Sequence, residues 1–223
     1  MTRTRMQQVF TALAAVALAA CSRANQAAVR TSPEPAGASV TAQVRADSLR
    51  HPYTQADVDF MSHMIGHHAQ ALVMSGWAPT HGASPSVRTL AERIINAQQD
   101  EIASMQRWLR DRGKTVPEAS PTGMKMTMNG AEHEMLMPGM LTEAQMRQLD
   151  QASGPEFDRL FLTYMIQHHR GAVSMVKDLF GTNGAAQDET VFKFANDVNV
   201  DQSTEIARME RMLAALPPLE RSP

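Results

Sequence analysis

The feature that most restricts what this chain can fold into is a repeat. Phe60, Met64, His67, His68, Ala71 and Met74 recur at an offset of 101 as Phe161, Met165, His168, His169, Ala172 and Met175, and Asp57 recurs as Asp158. Farther along, Gln98, Glu101, Ile102 and Met105 recur at an offset of 104 as Gln202, Glu205, Ile206 and Met209. A pattern used twice at this spacing marks one supersecondary unit built twice, each copy too small to bury its own apolar face.

The punctuation around the repeat is helical. Thr54-Gln55-Ala56-Asp57, Ser84-Pro85, Thr142-Glu143-Ala144-Gln145 and Ser153-Gly154-Pro155-Glu156 are start signals, and Gly76 with Pro79, Gly113, Gly181 with Gly184, and Pro217-Pro218 are stops. They predict long helices near 54–77, 85–112, 155–180 and 188–215, with a short one near 142–151. No strand alternation competes. Each half is then a helical hairpin, and two hairpins covering each other's stripes predict an all-α four-helix bundle over 52–216: hairpin one at 54–113, a connector at 114–141 and hairpin two at 142–216. Residues 217–223 form a tail.

Positions 60, 64, 67, 71 and 74 step by four and three, the inward seam of a bundle helix. Phe60, Met64, His67, Ala71 and Met74 therefore share one stripe, and Phe161, Met165, His168, Ala172 and Met175 share its counterpart. Met105 lies on one seam with Gln98 and Glu101, and Met209 with Gln202 and Glu205. The core is thus predicted to contain imidazole, amide and carboxylate groups. Buried without partners, each would cost on the order of 2–7 kcal/mol, so each must hydrogen-bond or hold something.

One histidine on an apolar stripe is usually a satisfied core residue, and methionine there is usually filler. The recurrence of both in both halves shifts the balance toward a metal. Thioether suits Cu(I), with Ag(I) as its mimic, and imidazole suits copper in either oxidation state, whereas calcium and magnesium want oxygen. Either Glu101 and Glu205 or Gln98 and Gln202 could accept the second ring N–H of a ligating histidine and fix its tautomer. Asp57 and Asp158 are expected to serve the same outer layer.

A second methionine cluster lies between the hairpins. Met124, Met126, Met128, Met135, Met137 and Met140 place six thioethers within 17 residues, with His133 among them. On a Gly- and Pro-punctuated loop these thioethers are expected to be exposed, and capture of a soft metal is preferred to a Met-rich hydrophobic lid.

The first twenty residues carry Arg3 and Arg5 and an apolar run from Val9 to Ala20, too short to span a bilayer and fitting a secretory leader. Leu18-Ala19-Ala20-Cys21 resembles the lipobox at which a leader is cut before a lipidated cysteine. Cys21 is the sole cysteine, so an intramolecular disulfide is excluded. Residues 21–51 read as a lipidated cysteine followed by a disordered tether. The net charge is −2 and becomes −4 when the leader takes its two arginines with it, which argues against nucleic acid as a partner.

The paired Met-x-x-His-His segments resemble a bacterial domain-of-unknown-function family that includes CopM-type periplasmic copper-binding proteins. The likeness runs from about Pro52 to Leu216. It implies a ferritin-like four-helix bundle and binding of Cu(I), Cu(II) or Ag(I) through Met64, His67, His68 and Met74, and through Met165, His168, His169 and Met175. His63 stands where the second half has Tyr164, so the two halves need not bind equally.

Other chemistries fit less well. None of the 8 histidines has Glu three residues before it, as a di-iron bundle requires, and Cys-x-x-Cys-His and His-Glu-x-x-His are absent. With no catalytic constellation, the chain is not expected to be an enzyme. The expectation is a lipid-anchored protein of the cell envelope, on the periplasmic or extracellular face, that sequesters copper or passes it to an exchange partner. The alternatives are a metal-free helical interaction module and a bundle holding non-covalent haem.

Overall fold

The computed structural model describes residues 52–128 and 131–218; of 124–128 and 131–134 it describes the backbone alone. The leader, Cys21 and the tether lie outside the described residues, as does the tail beyond 218. Among the described residues no helix is long and apolar enough to cross a membrane.

Among the described residues five helices form, four of them where the start signals stand. Helix α1 (Gln55–Gly76) begins with a reciprocal capping box between Thr54 and Asp57. Helix α2 (Pro85–Asp111) starts at Ser84, whose hydroxyl accepts from Val87 N–H, with proline in the first turn where no N–H is needed. It stops in a Schellman turn: Gly113 adopts φ +64°, its N–H donates to Arg110 and that of Lys114 to Leu109. Helix α3 (Glu143–Gln151) repeats the capping box with Thr142 and Gln145. Helix α4 (Gly154–Gly181) has no side-chain cap at Ser153, and α5 (Glu189–Ala214) is capped by Asp188, which accepts from Thr190 and Val191 N–H.

Helix α1 packs along α2 and α4 along α5, while α1 also crosses α4, so the two hairpins close into a bundle around the α1–α4 pair. The helical prediction therefore holds for the domain. The connector differs. Met124–Met128 and Ala131–Met135 form an antiparallel ribbon, β1 and β2, pairing Met124 with Met135, Met126 with His133 and Met128 with Ala131. Met-Lys-Met-Thr-Met has the period of two that a strand needs. A ten-residue signal is short enough to pass for a loop.

Two carboxylates lock the hairpins together. Asp57 on α1 accepts from Ala186 N–H, in the α4–α5 loop, at 2.7 Å. Its repeat partner Asp158 on α4 accepts from Ser84 N–H, in the α1–α2 loop, at 3.1 Å. Each half thus pins the loop of the other. Asp188 adds a third tie, taking Trp108 Nε1–H at 3.1 Å and the Arg112 guanidinium at 2.5 Å from the end of α2.

Candidate metal centre

The core divides into two apolar clusters, and the repeat exchanges them. Phe60, Met64 and Ile65 of α1 lie in the first cluster, together with Met105 of α2 and Ala172 and Met175 of α4. Their repeat equivalents, Phe161, Met165, Ile166, Met209, Ala71 and Met74, lie in the second. Helix α1 therefore leaves the first cluster before His67 and enters the second after His68, and α4 makes the passage in reverse. Four fully buried histidines form the layer where the helices cross. Each thioether set draws two members from one hairpin and one from the other: Met64, Met105 and Met175 on one side, Met165, Met209 and Met74 on the other.

Within this layer the rings of His67 and His168 are 3.8 Å apart, tilted by 38°, with His68 and His169 flanking at 6.3 and 6.2 Å. His67 Nε2 faces the Pro138 carbonyl at 3.0 Å and His168 Nε2 faces the His67 carbonyl at 2.9 Å. His68 Nε2 lies 2.7 Å from Glu101 Oε2, and His169 Nε2 lies 2.7 Å from Glu205 Oε2. A carbonyl or carboxylate oxygen can only accept, so all four rings carry their proton on Nε2 and donate it. Between the two candidates for this outer role, the carboxylates take it. Gln98 and Gln202, both buried, have neither amide oxygen nor nitrogen bonded within the protein.

The opposite face of each ring is the informative one. Nδ1 of His67, His68, His168 and His169 is buried in every case with no hydrogen-bond partner. On a neutral ring protonated at Nε2, that atom is a bare lone pair, the form in which imidazole binds a metal. Burial first, and then the neighbouring His68, push the His67 imidazole down to about 3, against the pull of its bond to Pro138. His168 is lowered well below the ordinary value, first by burial and then by the three other rings. Both are neutral at physiological pH. Among the described residues, no three His, Asp, Glu or Cys side chains converge as a cluster that could hold an ion. The other donors in the neighbouring core are thioethers, which suit a soft ion.

Outside the layer, α2 and α5 leave a cleft of about 240 Å³ lined by Gln98, Glu101, Asp201, Gln202 and Glu205. Partial burial, then Glu101, Asp197 and Glu205, raise the Asp201 carboxyl above its ordinary value.

The remaining predicted residues divide. Met137 and Met140 are buried at 7% and 5% exposure in the first cluster, which corrects the reading of the connector methionines as an exposed set; Met135, at 47%, is exposed. Met124, Met126, Met128 and His133 enter the description only through their ribbon backbone. Asp57 and Asp158 turn their oxygens to backbone N–H groups, away from the imidazoles.

The connector is held at one repeat position twice, by opposite means. Gln70 on α1 donates to the carbonyls of Pro121 and Leu141 and accepts from Leu141 N–H at 2.7 Å. Its equivalent on α4 is Gly171, over which Pro138 and Gly139 pass so closely that a Cβ would lie 1.9 Å from the Pro138 oxygen. This seat brings the Pro138 carbonyl to His67. The sequence signal was the break in the repeat, Gln70 against Gly171.

A family model described as a domain of unknown function, DUF305, matches residues 57–213. The chain belongs to the DUF305 family. A solved DUF305 fragment from Deinococcus radiodurans is 30% identical, covering 74% of this chain and 99% of that one with a TM-score of 0.61. CopM in its Cu(II)-bound form is 28% identical, covering 71% and 95% with a TM-score of 0.55, and its Cu(I)-bound form is 27% identical over the same shares at 0.53. Among curated proteins, uncharacterized protein L153 of Acanthamoeba polyphaga mimivirus is 39% identical over 62 residues, and the match spans 41% of that protein's length.

Proposed function

We propose that this DUF305 protein is an extracytoplasmic copper carrier, anchored through a lipid on Cys21, that holds Cu(I) between imidazole Nδ1 atoms and thioethers and passes it to an exchange partner without catalysing a reaction. The observation that carries the reading is the set of four buried, unpartnered Nδ1 atoms of His67, His68, His168 and His169. A protein that used these rings only as polar filler would leave four costly groups unsatisfied. The methionines on either side supply soft ligands, and Glu101 and Glu205 fix the tautomer that turns the lone pairs inward. Similarity to CopM, solved with Cu(I), Cu(II) and silver, supports the metal class. A DUF305 relative from Streptomyces coelicolor described as a secreted protein supports an address outside the cytoplasm.

Titration with Cu(I) against a competing chelator tests the core site. Saturable uptake by the wild type, lost in His67→Ala/His168→Ala with helicity retained, is the expected result; equal uptake by both overturns it. Cys21→Ala should move the protein from membrane to soluble fractions, and unchanged fractionation would remove the anchor.

A further inference from the structure

Duplication supplies an internal control: what both halves share serves the common fold or the core site between them, and what only one half carries serves something not duplicated. Beside the histidine layer, a cavity of about 300 Å³ opens between α1, α4 and the connector. Asp59 and His63, one turn apart on α1, line it with Met175 and Asp178 of α4 and with Met137 and Pro138 of the connector. Met137 and Met175 are only 7% and 8% exposed, so their sulfur-bearing side chains wall the cavity and do not project into solvent. His63 is the one basic side chain among the lining residues, and the two aspartates stand with no lysine or arginine there. Asp59 accepts one hydrogen bond, from Gln55, across 2.8 Å.

The other half has no such cavity wall. The repeat places Leu160, Tyr164 and Trp77 where Asp59, His63 and Asp178 stand, and these three pack against the second cluster. Met74, the counterpart of Met175, is fully buried, and the connector methionine Met137 has no counterpart at all. Among the described residues, the repeat equivalents of this lining do not reproduce its set of acid, imidazole and two thioethers. The opening abuts the core layer, since Pro138 lines the cavity while its carbonyl receives the His67 Nε2–H.

We propose that this cavity is a capture site for a soft monovalent cation, with His63 and Met137 as its own ligands, Met175 shared with the core thioether set, and Asp59 and Asp178 as the attracting rim, placed to deliver the ion past Pro138 to the histidine layer. The inference rests on the copper-binding reading and adds to it a port, its ligands and its side. Two thioethers and one imidazole form a neutral soft set suited to Cu(I) or Ag(I), and the carboxylates contribute charge without needing to coordinate.

The test is a silver titration of the full chain carrying 13C-labelled methionine methyl groups. Met137 should shift with the first equivalent of Ag(I), and in His63→Tyr, which copies the second half, that early response should vanish and total uptake should fall by one silver per chain. Met137→Leu, a near-isosteric change at the wall, should remove the same equivalent. If Met64, Met74, Met105, Met165 and Met209 respond while Met137 does not, or if His63→Tyr leaves uptake unchanged, the capture site is overturned and the core site stands. If no methionine responds and no silver is bound, both readings fail.

Discussion

His168 donates its Nε2–H to the backbone carbonyl of His67 across 2.9 Å, and the two imidazoles lie with centroids 3.8 Å apart at the centre of the bundle. One hydrogen bond thereby joins the repeat to itself. Two rings this close, fully buried, cannot both charge at modest cost, so this pair is built for neutral imidazole. Neutral rings whose protons are committed outward leave their other nitrogens free inside.

Metal-free protein should lose stability as the pH falls through the range set by these rings. In the unfolded chain they titrate near the ordinary value of 6.5, whereas His67 in the fold titrates near 3 and His168 well below 6.5. Between those limits the unfolded state binds more protons, so stability is full above pH 6.5 and drains away on acidification. Going from pH 7.5 to 5.5 should cost roughly 3 kcal/mol for the two rings together. Denaturant unfolding at both values checks this, and a flat profile would show that the rings titrate alike in the folded and unfolded chain.

Glu101→Ala and Glu205→Ala should each weaken copper binding by roughly 10- to 100-fold, the usual effect of removing the group that orients a ligating imidazole. The two effects should be similar, because the His68–Glu101 and His169–Glu205 contacts are both 2.7 Å. Chelator competition reads the affinities. Unchanged values in both variants would mean that His68 and His169 do not bind the metal.

Gly171→Ala should destabilise the bundle by about 3 kcal/mol, or roughly 6–12 °C in Tm, since its Cβ would meet the Pro138 oxygen at 1.9 Å and Gly139 Cα at 2.6 Å, with backbone on both sides and no flexible end to yield. Gly76→Ala is the contrast. Nothing lies within 4 Å of its Cβ, and a small gain from helix propensity is expected. Equal melting temperatures for the two variants would show that the connector does not press on α4.

The helices were legible because their causes are local. Thr54 with Asp57 and Thr142 with Gln145 form the boxes that the spacing predicts, and the seams through His67 and His168 are buried throughout. The pairing of His68 with Glu101 could be narrowed only to two options from one helix face, carboxylate or amide. Asp57 and Asp158 misled for a related reason: they recur because each pins a distant backbone N–H, and spacing along one helix does not reveal a partner in another hairpin's loop.

By itself, the sequence determined the duplicated hairpins, the helix limits and the presence of histidine and methionine on inward faces, because periodicity and capping act within a few residues. Tertiary structure decided which thioethers share a cluster, which ring nitrogen is left bare and which end of the bundle opens beside His63. Those depend on how α1 crosses α4 and where the connector seats on Gly171, contacts between residues far apart in the chain whose geometry only packing fixes.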